Sequence, residues 1–276
     1  MPRHRGIYKP DNPQPYELSR SAIEKMIGCE ACLWLEKTKG VTTPSMPGFN
    51  LNTNTDMLLK KDFNAVRGEG PNLLMEAAGL AHLRPFSHPH IEHWRDSLHF
   101  GAPNRFHYDD PATDIRFGGG LDDVWENTAT GELHIVDYKS TAQLGKHSRR
   151  LNRTFLARPT NPSAPDYKAA YRRQMDMYQW VARRLGFQVS NTGYFVYVDG
   201  QHREEAGMLD PAVPLQAWMR FNVAVIPLEG NADWVDEALR RAKHLVSEVT
   251  TCPEHNSGCE YGQYLHNVLR VIANSD

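Results

Sequence analysis

The stretch GGGLDDVWENTATGELHIVDYKS, residues 118–140, decides the fold of this chain. Short runs rich in β-branched and aromatic side chains flank the segment Asn127–Gly131, whose residue types favour a turn. This pattern predicts two antiparallel strands, over Ile115–Glu126 and Leu133–Ser140, joined as a hairpin.

The predicted hairpin brings charged residues together. It sets Asp122 and Asp137 side by side on adjacent strands, and Lys139 shares a face with Asp137 because alternate side chains of a strand point the same way. Tyr138 turns to the other face and offers its backbone carbonyl. Two carboxylates and a carbonyl suit Mg²⁺ or Mn²⁺, and a neighbouring lysine orients an attacking water. This set of residues therefore indicates phosphodiester hydrolysis.

A plain surface ion pair between Asp137 and Lys139 is the alternative interpretation. The apolar pair Ile135-Val136 before them is typical of an inner strand, where charges need a compensating reason. Three consecutive glycines, 118–120, inside a strand also favour a site that needs space. Asp123 competes with Asp122 for the first ligand position, but a regular strand would turn Asp123 to the opposite face.

The rest of the chain predicts one α/β domain. Its 276 residues carry 31 basic and 33 acidic side chains, a net charge of −2, so any polyanion site must be a local patch. Neither a membrane span nor a secretory signal is evident, which predicts a cytoplasmic protein without a membrane partner. Helices are expected over Ala22–Lys37, Asp56–Arg67, Asp166–Leu185 and Ala232–Val249, and strands over Arg105–Tyr108, Val189–Val198 and Trp218–Pro227. We expect a single domain over 1–276, with a helical front segment (about 18–100) and a cysteine-bearing C-terminal tail (about 250–276).

Three motifs, in this order and spacing, resemble a known family: Gly119-x-x-Asp122, then Asp137-Tyr138-Lys139, then Gln174-x-x-x-Tyr178 on the next helix. They are similar to those of the PD-(D/E)XK nuclease superfamily, in particular its RecB-like branch, which includes CRISPR-associated exonucleases. The resemblance implies a restriction-endonuclease-like α/β core, with a central mixed sheet flanked by helices. It also implies a Mg²⁺- or Mn²⁺-dependent deoxyribonuclease, more exonuclease than sequence-specific cutter.

Site roles follow from the matching positions. The resemblance implies that Asp122, Asp137 and the Tyr138 carbonyl hold the metal, that Lys139 serves the attacking water, and that Gln174 and Tyr178 steady the site or the substrate. Many RecB-like members add a histidine from an upstream helix, and no clear counterpart lies between Asp56 and His82. Candidate substitutes are Asp62, Glu69 and Glu76.

Four cysteines form two pairs separated by most of the chain: Cys29 and Cys32, then Cys252 and Cys259. Such a set is compatible with an iron–sulfur centre or zinc that ties the tail to the first helix. The resemblance implies a [4Fe–4S] cluster with one early and three late cysteines, whereas here the division is two and two, with Gly262 at the position of a further cysteine. His255 is a substitute ligand, and plain packing of Cys29 and Cys32 in a helix is the alternative.

Basic residues gather directly after Lys139, where a phosphate backbone would approach the proposed metal. A solvated surface is the alternative interpretation. The candidate nucleic-acid-binding residues are Lys146, Arg149, Arg150, Arg153, Arg172 and Arg173. The expected partner is DNA, single-stranded or at its ends, together with a helicase or another protein subunit, since no Walker A loop is present.

Two other functions remain open from the sequence. A nuclease-like subunit that binds DNA or acts as a scaffold without cleaving would account for the absent upstream histidine. A zinc-stapled interaction domain would account for the cysteines but leaves the charges around Asp137 unexplained. DNA repair, recombination or processing of foreign DNA is the setting that the resemblance implies.

Overall fold

The computed structural model describes residues 3–44, 48–142, 150–161, 163–200, 207–213 and 215–274. Its strands are β1 (Tyr16–Ser19), β2 (Leu83–Pro85), β3 (His107–Asp110), β4 (Ile115–Gly118), β5 (Asp123–Asn127), β6 (Leu133–Thr141), β7 (Thr192–Asp199) and β8 (Asn222–Glu229). Its α-helices are α1 (Arg20–Gly28), α2 (Glu30–Trp34), α3 (Asn50–Asn64), α4 (Leu73–Ala77), α5 (Ile91–Trp94), α6 (Ala169–Arg184), α7 (Val235–Ser247) and α8 (Glu260–Ala273).

A five-stranded mixed sheet, in the order β2-β5-β6-β7-β8, forms the centre of the fold. The central strand β6 pairs antiparallel with β5 and parallel with β7, and the two remaining pairs are antiparallel. A second sheet of three strands has the order β1-β4-β3. The α/β class with a central mixed sheet flanked by helices is as predicted.

Each face of the central sheet has its own apolar core, because side chains alternate along β6. Ile135 contributes to the larger core, together with residues of α1, α6 and α7. Val136 and Tyr138 contribute to the smaller core, beneath Phe63 of α3 and Met75 of α4. Asp137 and Lys139 therefore share the face of Ile135, toward α6.

The strand predicted over Ile115–Glu126 is in fact two strands in different sheets. β4 ends at Gly118 and β5 begins at Asp123, so the chain crosses between the sheets at 119–122. Close contacts explain the glycines: a Cβ on Gly118 would collide with the backbone of Phe106, and one on Gly120 would lie 2.8 Å from the backbone of Ser97.

Three further elements differ from the sequence-based expectations. The helix predicted over Ala22–Lys37 is interrupted at Cys29, whose extended backbone (φ −164°, ψ 112°) separates α1 from α2. The tail carries a helix, α8, that was not predicted. The last predicted strand begins at Asn222 rather than Trp218. Within the described ranges, no helix combines the length and the apolar character that crossing a bilayer requires.

Candidate active site and a second side-chain cluster

The pairing of β5 with β6 places two carboxylates together at the end of the hairpin. Asp123 stands opposite Val136 in the register, so Asp122 stands next to Asp137. A hydrogen bond fixes this arrangement, because the Tyr138 backbone N–H donates to Asp122 Oδ2 at 2.9 Å. The side chain of Asp122 is 24% exposed, whereas that of Asp137 is 3% exposed. One carboxylate is thus open to solvent and the other is buried behind it.

Asp137 is held by two neighbours on its own face of the sheet. Its Oδ1 accepts a hydrogen bond from the buried Gln174 amide on α6. Its Oδ2 forms an ion pair with the Lys139 ammonium, yet no described residue gives this buried atom a hydrogen bond of ordinary geometry. A buried carboxylate oxygen without a full set of donors is suited to a metal ion.

Burial also changes the titration of this carboxyl. Removal from water disfavours the charged form and, with the nearby charge of Asp122, outweighs the opposing effect of Lys139, so the pKa of Asp137 rises to about 7. A proton therefore occupies Asp137 in a large fraction of metal-free molecules near neutral pH, and a bound cation would displace it.

A third carboxylate, that of Asp56, reaches the site from α3 and was not predicted from the sequence. The ammonium of Lys60 lies 2.7 Å from Asp56 Oδ2 and 3.6 Å from Asp122 Oδ1, so it links the two carboxylates. Burial and the charge of Asp122 raise the pKa of Asp56, while Lys60 and Lys139 lower it. The Asp56 carboxylate is therefore close enough to Asp122 and Lys139 for their charges to affect its pKa.

The proposed substitutes for the upstream histidine lie elsewhere. Asp62, Glu69 and Glu76 are all exposed to solvent, and the structure does not bring them to the carboxylates. Thr55, the residue before Asp56, is buried and hydrogen-bonds Ser140 of β6, which fixes α3 against this strand. The i,i+4 pair formed by Asp56 and Lys60 was the available signal in the sequence.

Tyr178 lies one helical turn beyond Gln174 and supports the crossing segment. Its ring is buried, and a Cβ on Gly119 would lie 2.7 Å from its hydroxyl oxygen, so the glycine is needed for this approach. Burial raises the pKa of Tyr178 to about 12, opposed by a hydrogen bond from Arg20. Tyr178 therefore stays protonated and braces the backbone before Asp122.

Asp123 has a structural environment on the other side of the strand. It is fully buried, and Arg67 and Arg95 lie 2.9 Å and 3.4 Å from its Oδ1. The Tyr138 hydroxyl donates to its Oδ2 at 2.7 Å. With this set of partners Asp123 anchors the strand, and Asp122 is the carboxylate that faces Asp137.

The basic residues divide by their surroundings. Arg172 pairs with Asp166, and Arg173 pairs with Glu24, so both charges are locally balanced. Arg150 and Arg153 are exposed. Two further members of the predicted set, Lys146 and Arg149, lie outside the described residues.

A cleft of about 670 Å³ lies next to the last residue of β6. Thr141 lines one end of it, two residues beyond Lys139, and Arg158 and Lys168 line its walls. The Lys168 ammonium lies 4.9 Å from the centre of the Tyr171 ring, and the Lys139 ammonium lies 5.2 Å from the same ring. The cleft thus carries two basic side chains, and one of them, Lys168, contacts the same aromatic ring as Lys139.

A second cluster lies at the junction of α1, α2 and α8. It brings together Cys29, Cys32 and Cys259, which are buried, and His255. Burial disfavours the Cys29 thiolate, but hydrogen bonds from the backbone, His255 and Cys259 outweigh it and lower the pKa of Cys29. The proposed fourth cysteine, Cys252, is exposed, and its thiol donates to the Pro253 carbonyl at 3.4 Å. The predicted four-cysteine set is therefore corrected to three cysteines and a histidine.

Comparison with known proteins adds one match. A family model described as the PD-(D/E)XK nuclease superfamily matches residues 64–266. The matched range includes the hairpin of Asp122 and Asp137, the helix of Gln174, and two members of the cysteine–histidine cluster, His255 and Cys259. Asp56 precedes it. No curated protein matches the sequence.

Proposed function

The chain belongs to the PD-(D/E)XK nuclease superfamily, and from this premise we propose that it is a Mg²⁺- or Mn²⁺-dependent deoxyribonuclease that degrades DNA from single-stranded or frayed ends. The observation that carries the proposal is the meeting of Asp122, the buried Asp137 and Lys139 at the end of β6. Charges at the end of a buried strand are costly unless a ligand uses them.

The oxygen donors fit a hard divalent cation. Asp122 and Asp137 would hold it with the Tyr138 carbonyl, and Asp56 adds a third carboxylate that the nearby Lys60 now balances. When bound, such an ion polarises a phosphate oxygen and lowers the pKa of a bound water.

The protein's own side chains supply the rest of the chemistry. Lys139 holds the attacking water by a hydrogen bond and offsets the negative charge that develops on the phosphate. Gln174 fixes the orientation of the Asp137 carboxylate, and Tyr178 holds the segment before Asp122 in place. Tyr138 turns its ring to the opposite core, which leaves only its backbone at the site.

DNA is proposed to reach the site along the basic cleft, where Arg158 and Lys168 stand near its phosphates. Exposed Arg150 and Arg153 would extend this contact, whereas Arg172 and Arg173 would act mainly by holding α6 through their acidic partners. Cytoplasmic DNA repair, recombination or foreign-DNA processing, with a helicase or another subunit, is the proposed setting.

The test is digestion of end-labelled linear DNA and of covalently closed circular DNA, with Mg²⁺ or Mn²⁺, by wild type, Asp137→Ala and Lys139→Ala. We expect metal-dependent release of label from linear DNA by wild type, loss of that release in both variants, and slow cleavage of the closed circle. Asp62→Ala is the matched control, because this carboxylate is exposed and lies away from the site. A single-stranded RNA of the same sequence tests the preference for DNA.

A subunit that binds DNA without cleaving it is the competing function. It predicts that wild type binds the labelled DNA with normal folding and metal content but releases no product under any metal condition. That outcome would overturn the proposed hydrolysis. Cleavage that survives in Asp137→Ala would instead place the chemistry elsewhere in the chain.

A further inference from the structure

The cysteine–histidine cluster has the dimensions of a site for one metal ion. Its four ligand atoms all lie within 4.8 Å of one another. The sulfurs of Cys32 and Cys259 are 3.5 Å apart, and His255 Nδ1 lies 3.3, 3.8 and 3.6 Å from the sulfurs of Cys29, Cys32 and Cys259. The remaining two separations, from the sulfur of Cys29 to the other two sulfurs, are below the same 4.8 Å, so the four atoms surround a common centre.

We propose that Cys29, Cys32, His255 and Cys259 bind a single structural Zn²⁺. Tetrahedral zinc, with Zn–S near 2.3 Å and Zn–N near 2.0 Å, places two sulfurs roughly 3.8 Å apart and a sulfur and a nitrogen roughly 3.6 Å apart. The Cys32–Cys259 separation of 3.5 Å and the three sulfur–nitrogen separations of 3.3, 3.8 and 3.6 Å lie within a few tenths of an ångström of these values. Three thiolates and one imidazole complete the tetrahedron, so no position is left for water or substrate.

The same dimensions do not fit the [4Fe–4S] cluster that the family resemblance implies. In such a cluster each of four cysteines binds a different iron atom, which holds the ligand sulfurs well apart around a bulky core. Here the sulfurs of Cys32 and Cys259 are too close for that core. A histidine also occupies the fourth position, whereas Cys252 is exposed and outside the group.

Gly262 explains why a histidine can take this position. A Cβ at Gly262 would collide with the side chain of His255, so a residue larger than glycine would force the imidazole away. The Gly262 N–H also donates to the sulfur of Cys259 at 3.3 Å, a contact that stabilises a negatively charged thiolate. The glycine that stands in place of a further cysteine thus makes room for the histidine.

The metal would join the two ends of the described chain. Cys29 lies at the break between α1 and α2, Cys32 lies within α2, and Cys259 caps α8. Hydrogen bonds also join these segments: the Asn256 amide donates to the Gly28 carbonyl at 2.6 Å, and the Tyr261 hydroxyl donates to the Pro44 carbonyl at 3.2 Å. Of α8 only Gly262 is buried, so apolar packing holds this helix weakly and the zinc supplies the missing stabilisation.

The test measures metal in the full chain, produced with both iron and zinc available and purified without oxygen. We expect about one zinc per chain, no iron or sulfide, and no colour. His255→Ala and Cys259→Ser are expected to lose the zinc, whereas the matched control Cys252→Ser keeps it. Replacement of zinc by Co²⁺ in the wild type gives the absorption bands of a tetrahedral thiolate site, a readout that needs no variant.

Three outcomes would overturn the proposal: about four irons with sulfide per chain, a chain that binds neither zinc nor cobalt, or loss of zinc from Cys252→Ser equal to that from Cys259→Ser. None of these depends on nuclease activity. Limited proteolysis provides a structural readout, because zinc-free protein is expected to be cut before α8 at least tenfold faster than the zinc-bound form.

Discussion

The carboxylate site at the end of β6 and the cysteine–histidine cluster at the start of α8 offer a metal opposite environments. The first presents hard oxygens, with Asp122 partly open to solvent and an ammonium among the carboxylates. The second surrounds its centre with three sulfurs and a nitrogen. An open oxygen site leaves room for water and phosphate, whereas a closed site can contribute only stability. If both proposals hold, one chain uses one metal for chemistry and another for stability.

The two groups also differ in how the fold assembles them. Asp122 and Asp137 come together through one hairpin, and the buried sheet holds them whether or not a metal is present. Cys29 and His255 are separated by 226 positions in the chain, and α8 has little core of its own. Removing the metal should therefore leave the first group in place and release the second.

The largest expected effect is on catalysis. Asp137→Asn keeps the shape of the side chain but removes the charge that would hold the cation, so we expect the rate of DNA cleavage to fall on the order of 10³-fold. The measurement is initial rate on end-labelled DNA at saturating Mg²⁺. The zinc content of this variant should equal that of wild type. If Asp137→Asn also lost its zinc, the two metal groups would not be independent.

The next effect concerns Asp56, the carboxylate contributed by α3. We expect Asp56→Asn to weaken the binding of Mn²⁺ about 10- to 100-fold, because one oxygen donor of the site loses its charge. Calorimetric titration of Mn²⁺ measures this directly, and higher Mn²⁺ should restore much of the cleavage rate. Asp62→Asn, an exposed change on the same helix, should leave both quantities unchanged. Equal effects of the two substitutions would remove Asp56 from the site.

The carboxylate site should also show a pH dependence of metal binding that comes from Asp137. Burial raises the pKa of Asp137 to about 7, so below that pH a proton competes with the incoming cation. We expect the affinity for Mn²⁺ to rise about fivefold between pH 6 and 7 and to level off above pH 7. Calorimetry in buffers of different ionisation enthalpy should detect the released proton. Asp137→Asn should release none, and an unchanged proton count in this variant would contradict the assignment.

The sign of the effect on stability follows from the same shift. The native state binds the proton more tightly than the unfolded chain, whose aspartates titrate near pH 4. In protein free of Mg²⁺ and Mn²⁺, the free energy of unfolding should therefore decrease as the pH rises from about 4 to about 7. Asp137→Asn should lack this component of the decrease, as measured by urea denaturation at several pH values.

Much of the carboxylate site could be predicted because its pattern is local. The hairpin needs only a turn between two β-rich runs, and Gln174 and Tyr178 share a face through helical spacing. The interruption at Gly118–Gly120 was missed, because the sequence shows the need for small residues but not the backbone that approaches them. The family pattern likewise indicated the class of chemistry, which the matching family model supports.

Asp56 could not be identified from the sequence, and His255 could be named only as a substitute ligand, because their roles depend on packing between distant elements. α3 is largely polar, and only its contact with β6 shows that Asp56 faces Asp122. Cys252 and His255 both lie in the segment before α8, and the cysteine was the more obvious ligand. The capping of α8 by Cys259, with space provided by Gly262, determines which of them reaches the cluster.

The smallest expected effect would sharpen the picture of the open site. The ammonium of Lys60 is 2.7 Å from Asp56 and 3.6 Å from Asp122. It therefore already supplies positive charge at the place where a metal cation bound between these two carboxylates would supply it. Exposed or half-exposed ion pairs of this kind contribute up to about 1 kcal/mol, so we expect Lys60→Met to strengthen Mn²⁺ binding by about two- to fivefold. The measurement is calorimetric titration at pH 8, where Asp137 is ionised.

Lys61→Met, a change at the neighbouring exposed position, is the control and should leave the affinity unchanged. Weaker Mn²⁺ binding by Lys60→Met would mean that this lysine helps to build the site instead of competing with its metal. The carboxylate site would then differ from the closed cysteine–histidine cluster only in its ligand atoms.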